Sequence, residues 1–142
     1  MPLERRYCTF RLGGEWFGLE ADRVREILRS PGFSPVPLAS DLVKGLMNLR
    51  GEVLTVLDLR GRLGLAAPAP EKTMSLVLQS QGEWIALEID EIGDVIEVEE
   101  GAFEETPQTL VGEARRLIRG AYKLKGRLML ALDLEESLVA EK

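Results

Sequence analysis

The side chains that most often carry out chemistry in proteins are scarce in this 142-residue chain. It contains no histidine, and therefore lacks the commonest general base, metal ligand and member of a catalytic triad. Its single cysteine, Cys8, lies in the apolar run YCTF (residues 7–10), which favours a small buried hydrophobic residue over a nucleophile. One cysteine also allows neither an internal disulfide nor a cysteine-rich zinc site.

The remaining motifs do not point to a catalytic site either. Carboxylates are abundant in this acidic chain, but their spacing does not single out a pair suited to acid–base catalysis. The segment GRLG (residues 61–64) lacks the length and the lysine of a nucleotide-binding loop. We therefore expect a protein without enzymatic activity, metal or cofactor.

Charge and composition narrow the range of partners. A net charge of −6 disfavours general nucleic-acid binding, since affinity for phosphates depends on a basic surface. A small β-barrel that binds nucleic acid or oligosaccharide remains the alternative function, although only 6% of the residues are aromatic and able to stack on bases. No run approaches the ~18 apolar residues of a membrane helix and no signal peptide is recognisable, so we expect a cytoplasmic protein without membrane insertion.

The sequence contains an internal duplication. The phrase GEWFGLEADRV begins at Gly14 and returns as GEWIALEIDEI at Gly82, 68 residues later. A second phrase, GLMNLRGEVLTVLDL, begins at Gly45 and matches GAYKLKGRLMLALDL, which begins at Gly120, 75 residues later. The Ala/Pro-rich residues 66–70 lie between the two copies and indicate a linker.

Each copy is predicted to form a small β-barrel. Glycines punctuate short apolar runs, a pattern typical of strands and turns, and hairpin turns are predicted at residues 12–15 and 80–83. Every second residue of 85–89 and of 17–21 is apolar, which predicts strands with one buried face.

Further segments of the sequence predict which strands are buried and where a helix forms. Residues 53–59 and 128–134 are largely apolar on both faces, which predicts that each strand is buried on both sides. Residues 134–140 are predicted to form a closing helix capped by Asp133. Residues 24–28 fit either a strand or a helical turn.

The junction between two packed barrels is the expected binding site, because grooves between such units are common sites of recognition. Residues 24–28 and their equivalents 92–96 should reach this groove, although their apolar side chains fit core positions equally well. A partner helix would offer anchors at positions i, i+3, i+4 and i+7.

Four motifs resemble the CheW family of bacterial chemosensory adaptors: VREI (24–27), PVP (35–37), GLMNLRG (45–51) and VLDLR (56–60). Residues 89–95 and 130–134 extend the resemblance through the second copy, from about residue 10 to residue 138. It implies an all-β fold of two tandem, partly interlaced five-stranded SH3-like barrels with a short C-terminal helix. The whole of 1–142 would be one CheW-like domain, with approximate sub-barrels 9–65 and 73–139 joined by a linker at 66–72.

The resemblance also implies a function. Such adaptors are not enzymes; they link the tips of methyl-accepting chemoreceptors to the regulatory domain of a CheA-type histidine kinase, at membrane-associated arrays. We expect the receptor-binding groove at Val24, Glu26, Ile27, Arg50, Ile92 and Val95; of these, Val24, Glu26 and Arg50 match receptor-facing positions of the family. We expect the kinase contact at Gly45, Asn48 and Gly51.

The resemblance further implies that Glu26 and Arg50 pair across strands. The equivalent residues in the second copy are Asp94 and Lys125, which conserve the signs of the charges on shorter side chains.

Overall fold

A computed structural model describes residues 4–29, 34–35, 42–65, 73–99, 103–104 and 112–138, and these form mostly short β-strands. In chain order the elements are β1 (Glu4–Leu12), β2 (Glu15–Glu20), a 3-10 turn (Ala21–Arg23), β3 (Val24–Arg29), β4 (Ser34–Pro35), β5 (Val43–Leu49), β6 (Glu52–Leu57), β7 (Met74–Ser80), β8 (Glu83–Ile89), β9 (Glu91–Glu99), β10 (Phe103–Glu104), α1 (Gly112–Leu117), β11 (Ile118–Leu124), β12 (Arg127–Leu132) and α2 (Leu134–Ser137).

The strands form two sheets of matching order. The first runs β10-β11-β12-β2-β1-β9 and the second β4-β5-β6-β8-β7-β3. Each sheet therefore has five longer strands and one two-residue edge strand, which confirms the predicted all-β class. The closure of either sheet into a barrel stays a prediction.

The two copies exchange their first hairpins. Hairpin β1–β2 lies between β9 and β12 of the second copy, and hairpin β7–β8 lies between β3 and β6 of the first. Strand β2 pairs in parallel with β12, and β8 pairs in parallel with β6. The two pairings have equivalent registers, because the residues that face each other in one are equivalent to those that face each other in the other. Each sheet thus draws strands from both copies, so the limits 9–65 and 73–139 follow the sequence repeats and stay a prediction as domain limits.

The predicted hairpin turns are confirmed, and glycine explains them. Both central residues of the first turn have positive φ, 62° at Gly13 and 86° at Gly14. The equivalent turn has 51° at Gln81 and 82° at Gly82. Two successive positive φ angles define the type I′ turn, whose twist matches that of the flanking strands.

The main hydrophobic core lies between the two sheets. Ile85, Leu87 and Ile89 point into it from β8, and Phe17 and Leu19 point into it from the equivalent strand β2. The prediction is confirmed for these five residues, but it is wrong that only one face is buried, because Gly18 and Ala86 on the opposite face are buried too, and Ala21 lies beyond β2 in the 3-10 turn. Two smaller clusters, one around Met129 and one around Leu54, pack on the other faces of the sheets.

The prediction that residues 53–59 are buried on both faces is wrong at Val53, whose surface is 64% exposed. Leu54 and Val56 occupy the buried face of β6, and the opposite face is open where the strand begins. In the second copy the same prediction holds at the centre of the strand, because Met129 to Leu132 are all buried.

The short helix α2 begins where the sequence predicts. The Asp133 carboxylate accepts a hydrogen bond from the backbone N–H of Glu136 at 3.1 Å and so caps the helix. The helix ends at Ser137, and the last residues of the predicted segment 134–140 lie outside the described residues. Residues 24–28 form a strand, and α1 was not predicted.

Candidate functional site: an inter-sheet groove and an exposed hairpin

A groove of about 630 Å³ lies where edge strand β3 of one sheet approaches edge strand β9 of the other. Four of the predicted receptor-binding residues line it: Val24, Glu26, Ile27 and Val95. Ile27 and Val95 occupy equivalent positions in the two copies and are 43% and 51% exposed. Large apolar side chains exposed together in a groove are typical of a protein-binding surface.

The floor of the groove is formed by β1. Cys8 lines the groove but is itself buried, and this burial raises the pKa of its thiol above the ordinary value. The thiol therefore stays protonated at neutral pH, as expected for a small hydrophobic residue rather than a nucleophile. Arg5 and Arg6 line the groove at the start of the same strand.

The predicted pair between Glu26 and Arg50 is confirmed. Arg50 Nη1 donates a hydrogen bond to Glu26 Oε1 at 3.1 Å, and Nη2 donates to Oε2, so the pair is bidentate. The hydrogen bond from Arg50 lowers the pKa of Glu26 below its ordinary value. The pair ties the groove strand β3 to the turn between β5 and β6.

Ile92 and Arg50 differ from the other predicted groove residues. Ile92 is half-buried and packs against the main core rather than lining the groove. Arg50 lies outside the lining and joins the site through Glu26. Its backbone has a φ of 51°, in the left-handed region, as the first central residue of the β5–β6 turn.

The predicted kinase-binding residues lie together on the β5–β6 hairpin. The backbone N–H of Gly51, with a φ of 88°, donates to Asn48 Oδ1 at 3.1 Å, so the NLRG motif (residues 48–51) builds this turn. Gly45 is buried and pairs with Pro35 on the edge strand β4.

The same hairpin exposes two apolar side chains that the sequence analysis missed. Val53 lies opposite Asn48, and Leu46 lies opposite Thr55, so all four share one face of the hairpin. Leu46 is 43% exposed. The apolar character of β6 predicts burial of Val53, and residue type does not distinguish Leu46 on β5 from a core residue.

The two copies differ in how charges surround the groove. Asp94 and Lys125, the equivalents of Glu26 and Arg50, form no ion pair in the described part of the chain. Instead the backbone carbonyl of Asp94 accepts a hydrogen bond from Thr9 Oγ1 at 2.6 Å. The ion pair between Glu26 and Arg50 therefore has no counterpart between Asp94 and Lys125, which makes the charges around the groove asymmetric.

Each tryptophan packs against an arginine. The Arg25 guanidinium lies 4.2 Å from the ring centroid of Trp84, and the Arg127 guanidinium lies 3.9 Å from that of Trp16. Glu52 holds Arg25 in place through an ion pair of 3.4 Å. One face of each ring is thus covered by an arginine through a cation–π contact.

The described residues contain neither a metal-binding cluster nor a membrane-spanning helix. No three of their His, Cys, Asp and Glu side chains are grouped so that they could hold a metal ion. None of their helices is long and apolar enough to cross a membrane.

An all-β chain whose groove exposes two large apolar side chains among charged residues, and whose β5–β6 hairpin exposes two more, has the features of a protein-interaction module. The chain belongs to the CheW-like domain family, whose model matches residues 6–142. It is 30% identical to the chemotaxis protein CheW of Rhizobium meliloti (strain 1021), over 97% of this chain and 90% of that protein.

Two further similarities extend the comparison. The chain is 29% identical to the protein PilI of Pseudomonas aeruginosa, over 80% of this chain and 64% of that protein. The crystal structure of the scaffolding protein TtCheW from Thermoanaerobacter tengcongensis matches with a TM-score of 0.85 at 21% identity, covering 99% of this chain and 91% of that one. This last match supports the fold.

Proposed function

We propose that the protein is a non-catalytic adaptor that couples chemoreceptors to the regulatory domain of a CheA-type histidine kinase. The observation that carries this proposal is the pair of equivalent apolar side chains, Ile27 and Val95, exposed in the groove between β3 and β9. Membership of the CheW-like family supports it. The adaptor would then act by geometry, holding two partners at fixed positions on a small rigid fold.

The groove is the proposed receptor-binding site. A chemoreceptor tip is a helical hairpin, and a helix laid in the groove would cover Ile27 and Val95 with its apolar face. Because each of these side chains is about half exposed, covering it would contribute about 1 kcal/mol. Such a contact is weak by itself, and an array of many receptors and adaptors would strengthen it through multivalency.

The β5–β6 hairpin is the proposed kinase-binding surface. Asn48 and Gly51 fix the turn, and Leu46 and Val53 supply the exposed apolar area. The Glu26–Arg50 pair connects this hairpin to the groove strand, so both surfaces share one rigid support.

A pair of matched variants tests both surfaces at once. Val95→Asp and Val53→Asp each place a carboxylate on an exposed apolar position, one in the groove and one on the hairpin. In calorimetric titrations, Val95→Asp should weaken binding of a receptor-tip fragment at least tenfold and leave kinase-domain binding unchanged. Val53→Asp should do the reverse, so each variant is the control for the other.

Two results would contradict the proposal. If the unmodified protein binds neither a receptor tip nor a CheA-type regulatory domain from the same cell at 100 micromolar or so, it is not this adaptor. If both variants weaken both interactions equally, the two partners do not use separate surfaces. Melting temperatures of the variants should match the parent, because both positions are exposed.

A further inference from the structure

A second pocket, of about 400 Å³, lies away from the groove on the second sheet. It opens between β6, the β7–β8 turn and the end of helix α2. Leu57, Ile85 and Leu138 form apolar walls, and Glu83 and Glu135 lie among the polar residues that line it. The receptor groove shares none of its lining residues.

The duplication shows that this pocket is not a necessary result of the fold, because the equivalent place in the other copy is filled. There, Leu12, Phe17 and Leu130 stand where the pocket has Ser80, Ile85 and Thr55. All three larger side chains belong to the main core and are almost fully buried. The pocket exists because smaller residues replace them on one side only.

The filled place is also covered from outside. Gly13 corresponds to Gln81, which lines the pocket. A Cβ built on Gly13 would lie only 2.9 Å from Leu65 Cβ, so Leu65 packs directly over this turn and closes the site. In the other copy, Gln81 and Glu83 at the equivalent turn line the pocket and are exposed.

The chemistry of the pocket indicates its occupant. Its walls are apolar, and both of its charged lining residues are glutamates. Glu135 pairs with Arg23 and accepts a hydrogen bond from Ser80 Oγ at 2.7 Å. Glu83 has no ion-pair partner within the described ranges, so its negative charge is available to a cation. An apolar group next to a positive charge would satisfy both features.

The surroundings indicate that the occupant belongs to a protein. Thr55, which lines the pocket, lies opposite Leu46 on the β5–β6 hairpin and shares a face with Val53. Pocket and exposed hairpin therefore form one continuous surface, larger than a small ligand would need. This is the surface proposed above to bind the kinase.

We propose that the regulatory domain of the kinase inserts an apolar side chain of about leucine size into this pocket, with a neighbouring lysine or arginine placed against Glu83. The inference rests on the proposed function, since it names the anchor of the proposed kinase contact. Anchors of this kind, buried in a pocket at the centre of an interface, commonly dominate binding.

Filling the pocket is the direct test. Thr55→Leu copies the residue that fills the other copy, and Thr55→Val is the matched control because it keeps the size of threonine. Thr55→Leu should weaken binding of the kinase regulatory domain at least tenfold in calorimetric titration and leave the melting temperature unchanged or higher. Thr55→Val should bind within about threefold of the parent, and receptor-tip binding should be unaffected by either change.

The charge is tested at equivalent positions of the two copies. Glu83→Gln should weaken kinase binding several-fold and make it less sensitive to salt, whereas Glu15→Gln, at the equivalent position beside the filled site, should change neither. Kinase binding by the parent with no effect of Thr55→Leu or Glu83→Gln would overturn this inference alone. Absence of kinase binding by the parent would instead overturn the proposed function. If light scattering shows a dimer that Thr55→Leu converts to a monomer, a second copy occupies the pocket and the inference is wrong.

Discussion

Replacement of Arg60 by methionine should be among the most damaging single changes in this protein. Arg60 follows β6, and its guanidinium reaches two carboxylates: Nη1 donates to Asp58 Oδ2 at 3.0 Å, and Nη2 donates to Asp90 Oδ1. The three side chains are only 8%, 15% and 14% exposed. The cluster joins the end of β6 to the start of β9, the edge strand that borders the groove opposite β3.

The expected magnitude follows from this burial. An exposed ion pair contributes only about 0.2–1 kcal/mol, but removing one partner of a buried pair costs about 3–5 kcal/mol, because it leaves a buried charge without compensation. Arg60→Met leaves two carboxylates in that state, so we expect the free energy of unfolding to fall by about 3–5 kcal/mol. Small domains have total stabilities of about 5–15 kcal/mol, so this is a large part of the whole.

Urea unfolding measured by circular dichroism gives the assay, and Arg11→Met gives the control. Arg11 pairs with Glu91, but those side chains are 44% and 54% exposed, so its loss should cost about 1 kcal/mol or less. A loss for Arg60→Met no larger than that of Arg11→Met would refute the reasoning. The triple variant Arg60→Met, Asp58→Asn, Asp90→Asn should recover much of the loss, because it removes the uncompensated charges.

Two further predictions concern the turn at Gly13 and the ion pair between Glu26 and Arg50. Gly13→Ala should lower the free energy of unfolding, measured in urea, by about 1–3 kcal/mol, because the positive φ of Gly13 and the 2.9 Å approach of Leu65 both oppose a Cβ. Gln81→Ala, at the equivalent position of the other copy, should be nearly neutral. Equal losses for the two variants would contradict this prediction. The pKa of Glu26 should lie below the ordinary 4.5 and rise in Arg50→Gln, as measured by carboxyl NMR. Because the pKa of Glu26 is lowered in the folded state, the ion pair stabilises the fold above about pH 4.5, and this stabilisation is lost as the pH falls through the pKa of the folded state. An unchanged pKa of Glu26 in Arg50→Gln would contradict this prediction.

Local features of the fold could be predicted from the sequence because each depends on a few neighbouring residues. The turns at Gly13 and Gly82 follow from glycine, which tolerates a positive φ. The cap at Asp133 follows from its position before an apolar run. The Glu26–Arg50 pair could be predicted through the family resemblance, because VREI and GLMNLRG, two of its motifs, contain these residues.

The exchange of hairpins does not follow from any local feature, and only the family resemblance implied that the two units are partly interlaced. Hairpins β1–β2 and β7–β8 carry almost the same pattern, so the sequence does not tell which copy each one joins. The exposure of Val53 was missed for a related reason: an apolar side chain that awaits a partner protein has the same residue type as one in the core. The second pocket could not be predicted because its lining residues, from Leu42 to Leu138, are far apart in the sequence.

The exchanged hairpins also govern how the chain can fold as it is synthesised. The parallel partner of β2 is β12, the last of the described strands, so the first sheet stays incomplete until β12 has left the ribosome. In the second sheet, β3 and β6 of the first copy have no hairpin between them until β7 and β8 have been synthesised. Pairings so distant in sequence form slowly. During that interval the vacant place can accept the equivalent hairpin of a neighbouring nascent chain, so crowded polysomes would favour entangled dimers.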